Sequence, residues 1–308
     1  MGRLDKLRGV DPLLTGLARG YSNAELIGTK IMPKVIVEKT AGKIPVFGKE
    51  QFKTYGAKRA IRGKSNRFDL GDFDTIAYST EEYDLEVVID YLESSESILN
   101  LEKKATTDTT QGLALTQEKQ IADLVQALAT YPTANKVALT TGSHFDDTGV
   151  DPISVIYAKK AILKGIIAKD PNTMILSEKV FNALLNHAAI LDRLANTTLG
   201  LANINILKEI FGIPNILVGG ALALDDDGTT LSPIWGNNII LAYNSNPTGI
   251  AASVYEPCFG YTLQLKGNPF VDKYEENGGK SSVIRATDNY DLKIVGAESA
   301  YLIKDVLK

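Results

Sequence analysis

Pro171-Asn172-Thr173-Met174-Ile175-Leu176-Ser177-Glu178-Lys179-Val180-Phe181-Asn182-Ala183-Leu184-Leu185 changes its hydrophobic period in the middle. Thr173 to Leu176 is a short apolar run behind a proline and an asparagine, which predicts a buried β-strand. From Val180 the apolar residues recur at three- and four-residue spacing, through Phe181, Leu184, Leu185, Ala188 and Leu191. That spacing predicts one side of an amphipathic helix. Ser177 stands at the junction, where its hydroxyl can accept a backbone N–H of the first helical turn. A strand leading straight into a capped helix is the unit of an α/β layer.

The same alternation extends outward. Asp151-Pro152 pairs an acceptor side chain with a proline suited to the first turn, so it opens a helix with Ile153, Ile156, Tyr157, Leu163, Ile166 and Ile167 on a wide apolar face. Val137 to Thr140 reads as a strand, and Gly142 to Gly149 as a loop. Downstream, Ile204 to Phe211 is a short helix that Gly212 ends in a left-handed conformation. Ile216 to Val218 and Ile239 to Tyr243 are strands, with a turn at Asp225-Asp226-Asp227-Gly228. Residues 133 to 250 form an α/β unit by this reading.

The flanks differ. Lys34 to Glu38 and Ile44 to Phe47 read as two strands of a hairpin turned at Gly42. Residues 48 to 80 then interleave Lys53, Lys58, Arg59, Arg62, Lys64 and Arg67 with Phe52, Tyr55, Phe68 and Phe73, and four glycines break any helix. So few aliphatic residues cannot build a core, and connections of this length are commonly functional. The segment reads as a projecting hairpin that packs on a neighbouring subunit. Nucleic-acid binding through residues 53 to 67 is the alternative that basic and aromatic interleaving leaves open. Glu82 to Ile89 is a strand. A helix follows, capped by Thr116, carrying Ile121, Leu124, Val125 and Leu128, and ended by Pro132; Asn100 to Leu115 extends it upstream into one long interrupted helix. Near the C-terminus, Tyr261, Leu263 and Leu265 alternate with polar residues. Asn277-Gly278-Gly279 is a turn, and Ser281 to Ala286, Tyr290 to Val295 and Ala300 to Val306 complete an antiparallel set. The fold class is α+β.

Composition bounds the chemistry. The 308 residues are 44 % hydrophobic and 23 % charged, enough for a sizeable core in two domains. A net charge of −4 argues against non-specific nucleic-acid binding by the whole chain. Cys258, the one cysteine, closes no intramolecular disulfide and reads as buried. The N-terminal residues lack a signal-like apolar run, and no segment reaches the length of a membrane span, so no membrane partner is expected. His144 with Asp146 and Asp147 is the best candidate for a metal site or a catalytic base, set against a plain polar loop. Asp225 to Gly228 fails the calcium-loop pattern, because its twelfth position is Gly236 rather than Glu. Gly219-Gly220 matches neither a phosphate loop nor a dinucleotide fingerprint. No catalytic residue, cofactor or metal is expected, and the chain reads as a structural protein rather than an enzyme.

The ordered series of segments carries a family resemblance. Pro171 to Leu194, Leu207 to Gly219 with Phe211-Gly212-Ile213-Pro214 at its centre, Trp235-Gly236 and Ile239 to Tyr243 are its most specific parts. Asp151-Pro152, Lys43-Ile44-Pro45-Val46, Lys58-Arg59-Ala60 and Met32-Pro33 fit upstream. From about residue 20 to 308 the chain resembles the major capsid proteins of tailed double-stranded DNA bacteriophages, which share the HK97-type shell fold. The resemblance implies an N-terminal arm over residues 1–30 and a peripheral domain over 31–133. That domain would hold an extended β-hairpin loop at about 44–80 and a long spine helix between about 90 and 131. An axial domain would span 134–250, and C-terminal strands over 251–308 would return partly to the peripheral domain. It further implies self-assembly into hexamers and pentamers of an icosahedral head, built in the host cytoplasm. Portal and scaffolding proteins, decoration proteins and packaged DNA held without sequence recognition would be partners. Lys53, Lys58, Arg59, Arg62, Lys64, Arg67 and Phe68 are then the candidate intersubunit contacts. No covalent cross-link is expected from Lys53, Lys58 or Lys64. A cellular encapsulin-type compartment with the same fold is the rival reading.

Overall fold

The computed structural model describes residues 25–46, 54–59, 61, 63–67, 74–97, 100–147, 149–195, 203–225, 227–244 and 258–308. The chain runs through α1 (Gly28–Ile31), β1 (Lys34–Val37), β2 (Ala41–Val46), β3 (Asp74–Ser79), β4 (Glu81–Asp90), α2 (Tyr91–Glu96) and α3 (Leu101–Gln126). Next come β5 (Lys136–Ala138), α4 (Pro152–Ile167), β6 (Thr173–Ser177), α5 (Glu178–Leu185), α6 (Ala188–Ala195), α7 (Ile204–Phe211) and β7 (Asn215–Gly219). β8 (Leu222–Leu224), β9 (Leu231–Pro233), β10 (Ile239–Ala242), β11 (Gly260–Leu265), β12 (Phe270–Glu276), β13 (Ser281–Ile294) and β14 (Ala300–Lys304) complete it.

Continuous apolar runs build a sheet covered on both faces. In the order β5-β14-β10-β6-β7, the central strands β6 and β10 are buried at every residue. Met174, Leu176, Ile239, Leu241, Tyr301 and Ile303 face the helical layer, where Ile153, Ile156 and Leu163 of α4 meet Val180 and Leu184 of α5 and Leu207 and Phe211 of α7. Their neighbours Ile175, Ile240, Ala242, Ala300 and Leu302 face the other way. There they meet Ile121, Ala122 and Val125 of α3, together with Ile31, Met32, Trp235 and Phe259.

The second five-stranded sheet is organised by the long β13. Residues Ser281 to Thr287 pair with β12 on one edge and with β4 on the other, both antiparallel. Farther along, Tyr290 to Ile294 pair with β11, which in turn pairs in parallel with β1. Helix α3 lies against β4 and β13, with Ala105 among Ile89 and Ile284. Tyr83 stacks on Tyr290 at 4.5 Å between ring centroids, and the Tyr290 hydroxyl donates to Gln120 Oε1 at 2.8 Å. At 26 residues α3 is about 39 Å long. It therefore reaches from this sheet to the first.

Four expectations change. β1 and β2 do not form a hairpin, because β2 pairs antiparallel with β3 and residues 47–73 lie between them. Gly42 is no turn residue. It sits opposite Tyr78, and a Cβ there would lie 2.8 Å from the ring, so glycine leaves room for the tyrosine. Helix α3 is continuous and capped by Asn100, whose Oδ1 accepts from Lys103 N at 2.9 Å, while Thr116 bonds back to Gly112 O within the helix. It ends at Gln126, well before Pro132, where Thr130 Oγ1 takes the Leu124 carbonyl and Tyr131 OH the Val125 carbonyl. The helix opened by Ser177 breaks at Asn186-His187 into α5 and α6. Finally, Ser281 to Ile294 is one strand rather than two, and β14 leaves the C-terminal set to join the first sheet between β5 and β10. Completely buried Leu302 and Ile303 are covered there on both faces, Ile303 by the helical layer and Leu302 by the α3 side.

Candidate assembly surfaces

The excursion between β2 and β3 carries charge outward. Lys58, Arg59, Lys64 and Arg67 are exposed, as are Tyr55 and Ile61, the latter 95 %. Lys53, Arg62 and Phe68 lie outside the described residues. Two side chains shape the excursion. Asn66 Nδ2 donates to Gly56 O at 2.6 Å and Lys58 O at 3.1 Å, tying one limb to the other, and Arg59 Nη1 donates to Gly63 O at 2.6 Å. Among the described residues, Lys58, Lys64 and Arg67 are likewise exposed.

An acidic surface lies on the second sheet. Because β4 alternates, Glu82, Asp84 and Glu86 share the face turned away from α3, and all three are exposed. A polar network stiffens this face: Tyr274 OH donates to Glu86 at 2.8 Å, and Arg285 makes a forked pair with Asp272 at 2.8 and 3.2 Å. The Asp272 carboxylate raises the pKa of Arg285, and the Glu86 carboxylate does the same for the Tyr274 phenol.

The His144 loop is tied to the C-terminal residues. Asp147 Oδ2 accepts from Gly142 N at 2.8 Å and His144 N at 2.9 Å, and the His144 ring nitrogen lies 3.3 Å from it. Lys308 Nζ pairs with Asp147, and Lys308 N donates to Asp146 at 3.3 Å. The lysine, then the backbone amides, pull the Asp147 pKa down to about 2. Phe145 N also bonds Val306 O at 2.8 Å. The loop clasps the last residues of β14's extension, whose Val306 and Leu307 are buried. Among the described residues no group of three or more His, Cys, Asp or Glu side chains is placed to hold a metal ion, and no helix is long and apolar enough to cross a membrane. Cys258 is buried, with Sγ donating to Asn244 Oδ1 at 3.0 Å.

Sequence reasoning missed the polar side chains that join the two sheets. Glu118 on α3 is 2 % exposed. Its Oε1 accepts from Ile27 N at 3.0 Å and Trp235 Nε1 at 2.9 Å, and Oε2 accepts from Gly28 N at 2.7 Å. A Cβ on residue 28 would meet that carboxylate at 2.7 Å, so the backbone approaches closely only through glycine. Asn244 Nδ2 holds the Lys30 and Ile31 carbonyls at 2.7 and 3.2 Å, and Thr262 Oγ1 holds the Met32 carbonyl at 2.9 Å. Residues 27–32 thus form a strap fixed to three separate elements. The sequence signal was available only in outline: Glu118 sits one helical turn before apolar Ile121 and Ala122, on the buried side of α3.

The model for phage major capsid protein E matches residues 27–284, which takes in the strap, α3 and the strands from β1 to β12 and stops within β13. The major capsid protein of Burkholderia phage BcepMu is 42 % identical over 307 residues, 99 % of each chain. A phage-related protein of Bordetella bronchiseptica RB50 superposes with a TM-score of 0.73 at 29 % identity, covering 96 % of this chain and 97 % of that one. A subunit from the capsid of cyanophage P-SCSP1u shares the fold at a TM-score of 0.62 and 9 % identity, over 92 % of this chain and 89 % of that one. The exposed basic excursion, the two-sided sheet and the spanning helix α3 thus sit in a chain that belongs to the phage major capsid protein E family, the structural subunits of tailed-phage heads.

Proposed function

We propose that this subunit assembles into hexamers and pentamers of an icosahedral head that encloses double-stranded DNA. The observation that carries the reading is the excursion between β2 and β3, a long segment whose described basic side chains are exposed and have no core of their own. Such a segment gains buried area only by lying on a neighbour. Residues 1–30 act as an arm, about 44–80 as the reaching loop, α3 as the spine of a peripheral domain over 31–133, 134–250 as the axial domain, and 251–308 as strands returning partly to the peripheral domain. Lys53, Lys58, Arg59, Arg62, Lys64, Arg67 and Phe68 supply the loop's contacts, and the Glu82, Asp84 and Glu86 face of an adjacent subunit is their acidic complement. Each exposed ion pair contributes only about 0–1 kcal/mol, so these pairs set register more than stability. Heterologous contacts of this kind close into rings. Portal, scaffolding and decoration proteins complete the particle, which assembles in the host cytoplasm, and packaged DNA meets the inner face without sequence recognition.

Electron microscopy of the chain expressed alone and with its genomic neighbours tests the reading. Closed shells are expected in at least the second sample, and monomers in both would overturn it. Charge reversal at Lys58, Arg59 and Lys64 together is expected to block shells while leaving the circular dichroism of the subunit unchanged.

A further inference from the structure

Two different and largely uncharged surfaces lie at opposite margins of the β5-β14-β10-β6-β7 sheet. β7 is one edge strand, and the chain leaving it folds into the β8–β9 ribbon. The register Leu222↔Pro233 and Leu224↔Leu231 places these four side chains on one face of the ribbon and Ala223 and Ser232 on the other. Leu224 is 55 % exposed and Leu231 58 %. A ribbon that turns its larger apolar face to water is a surface awaiting cover. At the other margin, α4 packs on β14 beside edge strand β5. Of the seven exposed positions of α4 from Ser154 to Gly165 only Lys164, near its C-terminal end, is charged, and they include Tyr157 and Ile162. Gly165 lies in this face. A Cβ there would meet nothing within 4 Å, so no contact inside the subunit calls for glycine at a helix-interior position where alanine is the better helix former.

Charge follows the same polarity. The ribbon's turn carries Asp225 and Asp227, whose carboxylates accept from the Ser232 hydroxyl and from the Thr229 and Thr230 amides. Among the described residues no lysine or arginine pairs with either. The C-terminal end of α4 carries exposed Lys164 and Lys169 against the single carboxylate of Asp170, which Lys164 holds at 2.8 Å.

We propose that the leucine face of the β8–β9 ribbon docks on the outer face of α4 in a second copy of this chain, with Asp225 and Asp227 reaching Lys164 and Lys169. The inference rests on the shell reading above and names one contact within it. The two patches differ and lie at opposite margins, so the contact is head-to-tail and repeats around a ring, whereas one self-complementary patch would stop at a dimer.

Cross-linking of assembled full-length particles tests it. Leu224→Cys and Ile162→Cys are combined in one chain, where Cys258 is buried and remains apart. Oxidation of these particles is expected to yield a ladder of covalent oligomers rising to five or six, and either single variant alone is expected to yield none. Assembled double-cysteine particles without a ladder would overturn the contact. Dimers from Leu224→Cys alone would overturn it in favour of ribbon against ribbon. In parallel, Asp225→Lys with Asp227→Lys is expected to lower particle yield at least tenfold, and adding Lys164→Asp with Lys169→Asp to restore it; failure to restore would overturn the pairing. Wild-type chain that forms no particles would sink the shell reading and this contact with it, whereas wild-type particles lacking the ladder defeat the contact alone.

Discussion

Glu118→Gln removes one oxygen from a site where three N–H groups converge. The wild-type carboxylate serves Ile27 N and Trp235 Nε1 with one oxygen and Gly28 N with the other. A glutamine can keep its oxygen on the first pair only by turning its NH2 toward the Gly28 N–H, two donors at 2.7 Å. One charge-assisted hydrogen bond is lost, about 1.5–3 kcal/mol, and the two that remain weaken as their acceptor becomes neutral. Relief from burying a charge offsets part of this. The balance comes to a loss of about 2 kcal/mol, and Glu118→Ala, which strands all three donors, is expected to lose about twice that. Trp235 is the only tryptophan, so its emission reports the site directly. Urea unfolding of unassembled chain, followed at that emission, should show the midpoint of Glu118→Gln falling by roughly 0.7 M for a slope near 3 kcal/mol/M. Amide exchange at Ile27 and Gly28 should speed up at the same time, because the strap is released there first. A Glu118→Gln midpoint equal to wild type, with Trp235 emission unshifted, would refute the idea that the carboxylate holds the strap.

Two further outcomes follow from the geometry. Asp147 has a folded pKa lowered to about 2 from its ordinary 3.8, first by the Lys308 ammonium. Its contribution is therefore complete above the unfolded value and is lost as pH falls through the folded one, so wild type should lose stability relative to Asp147→Asn between about pH 4 and 2; equal acid titration curves for the two would count against the clasp. Ile240→Ala empties a fully buried site between α3 and the first sheet. It should cost about 2–5 kcal/mol by calorimetry or denaturant, and a loss under 1 kcal/mol would show that the α3 side is not packed as described.

Local signals were legible and long-range ones were not. Ser177 accepts from Val180 N and Asp151 from Ile153 N, because a cap is chosen by residues within one turn of it. Gly212 ends α7 at φ 59°, as its position after Phe211 predicts. The α+β class and the exposure of Lys58, Arg59, Lys64 and Arg67 were equally readable, since both follow from period and composition. The partner of β1 was not, because Lys34 to Val37 alternates as well against β11 as it would against a neighbour in a hairpin. Gly42 misled for a similar reason: a glycine between two strand-like runs looks the same whether it makes a turn or makes room for Tyr78. Lys58, Arg59, Lys64 and Arg67 stand out in the sequence by their charge. Glu118, Gln126 and Asn244 do not, since their value lies in donors and acceptors brought from distant parts of the chain.

That contrast bears on how a shell subunit keeps its shape. Apolar contact on the two faces of the first sheet supplies most of the favourable burial, but it is non-directional and tolerates sliding. The side chains that bridge α3 to its surroundings are directional. Gln126 Nε2 donates to Ala122 O at 3.2 Å and Ile234 O at 3.1 Å, while Oε1 accepts from Gly236 N and Asn238 Nδ2, both at 2.7 Å. Every hydrogen-bonding capacity that faces the 234–238 segment is used, which fixes the end of α3 against that loop. Gln126→Met keeps the volume and the helix propensity but strands the Gly236 N–H and the Asn238 amide. Its stability should fall by about 1–3 kcal/mol. Its larger effect should appear in assembly, as shells of mixed size or incomplete rings seen by electron microscopy at protein concentrations where the subunit remains folded. Uniform wild-type shells from Gln126→Met would show that packing alone sets the angle between α3 and the first sheet, and the directional bridges would then be needed only for stability.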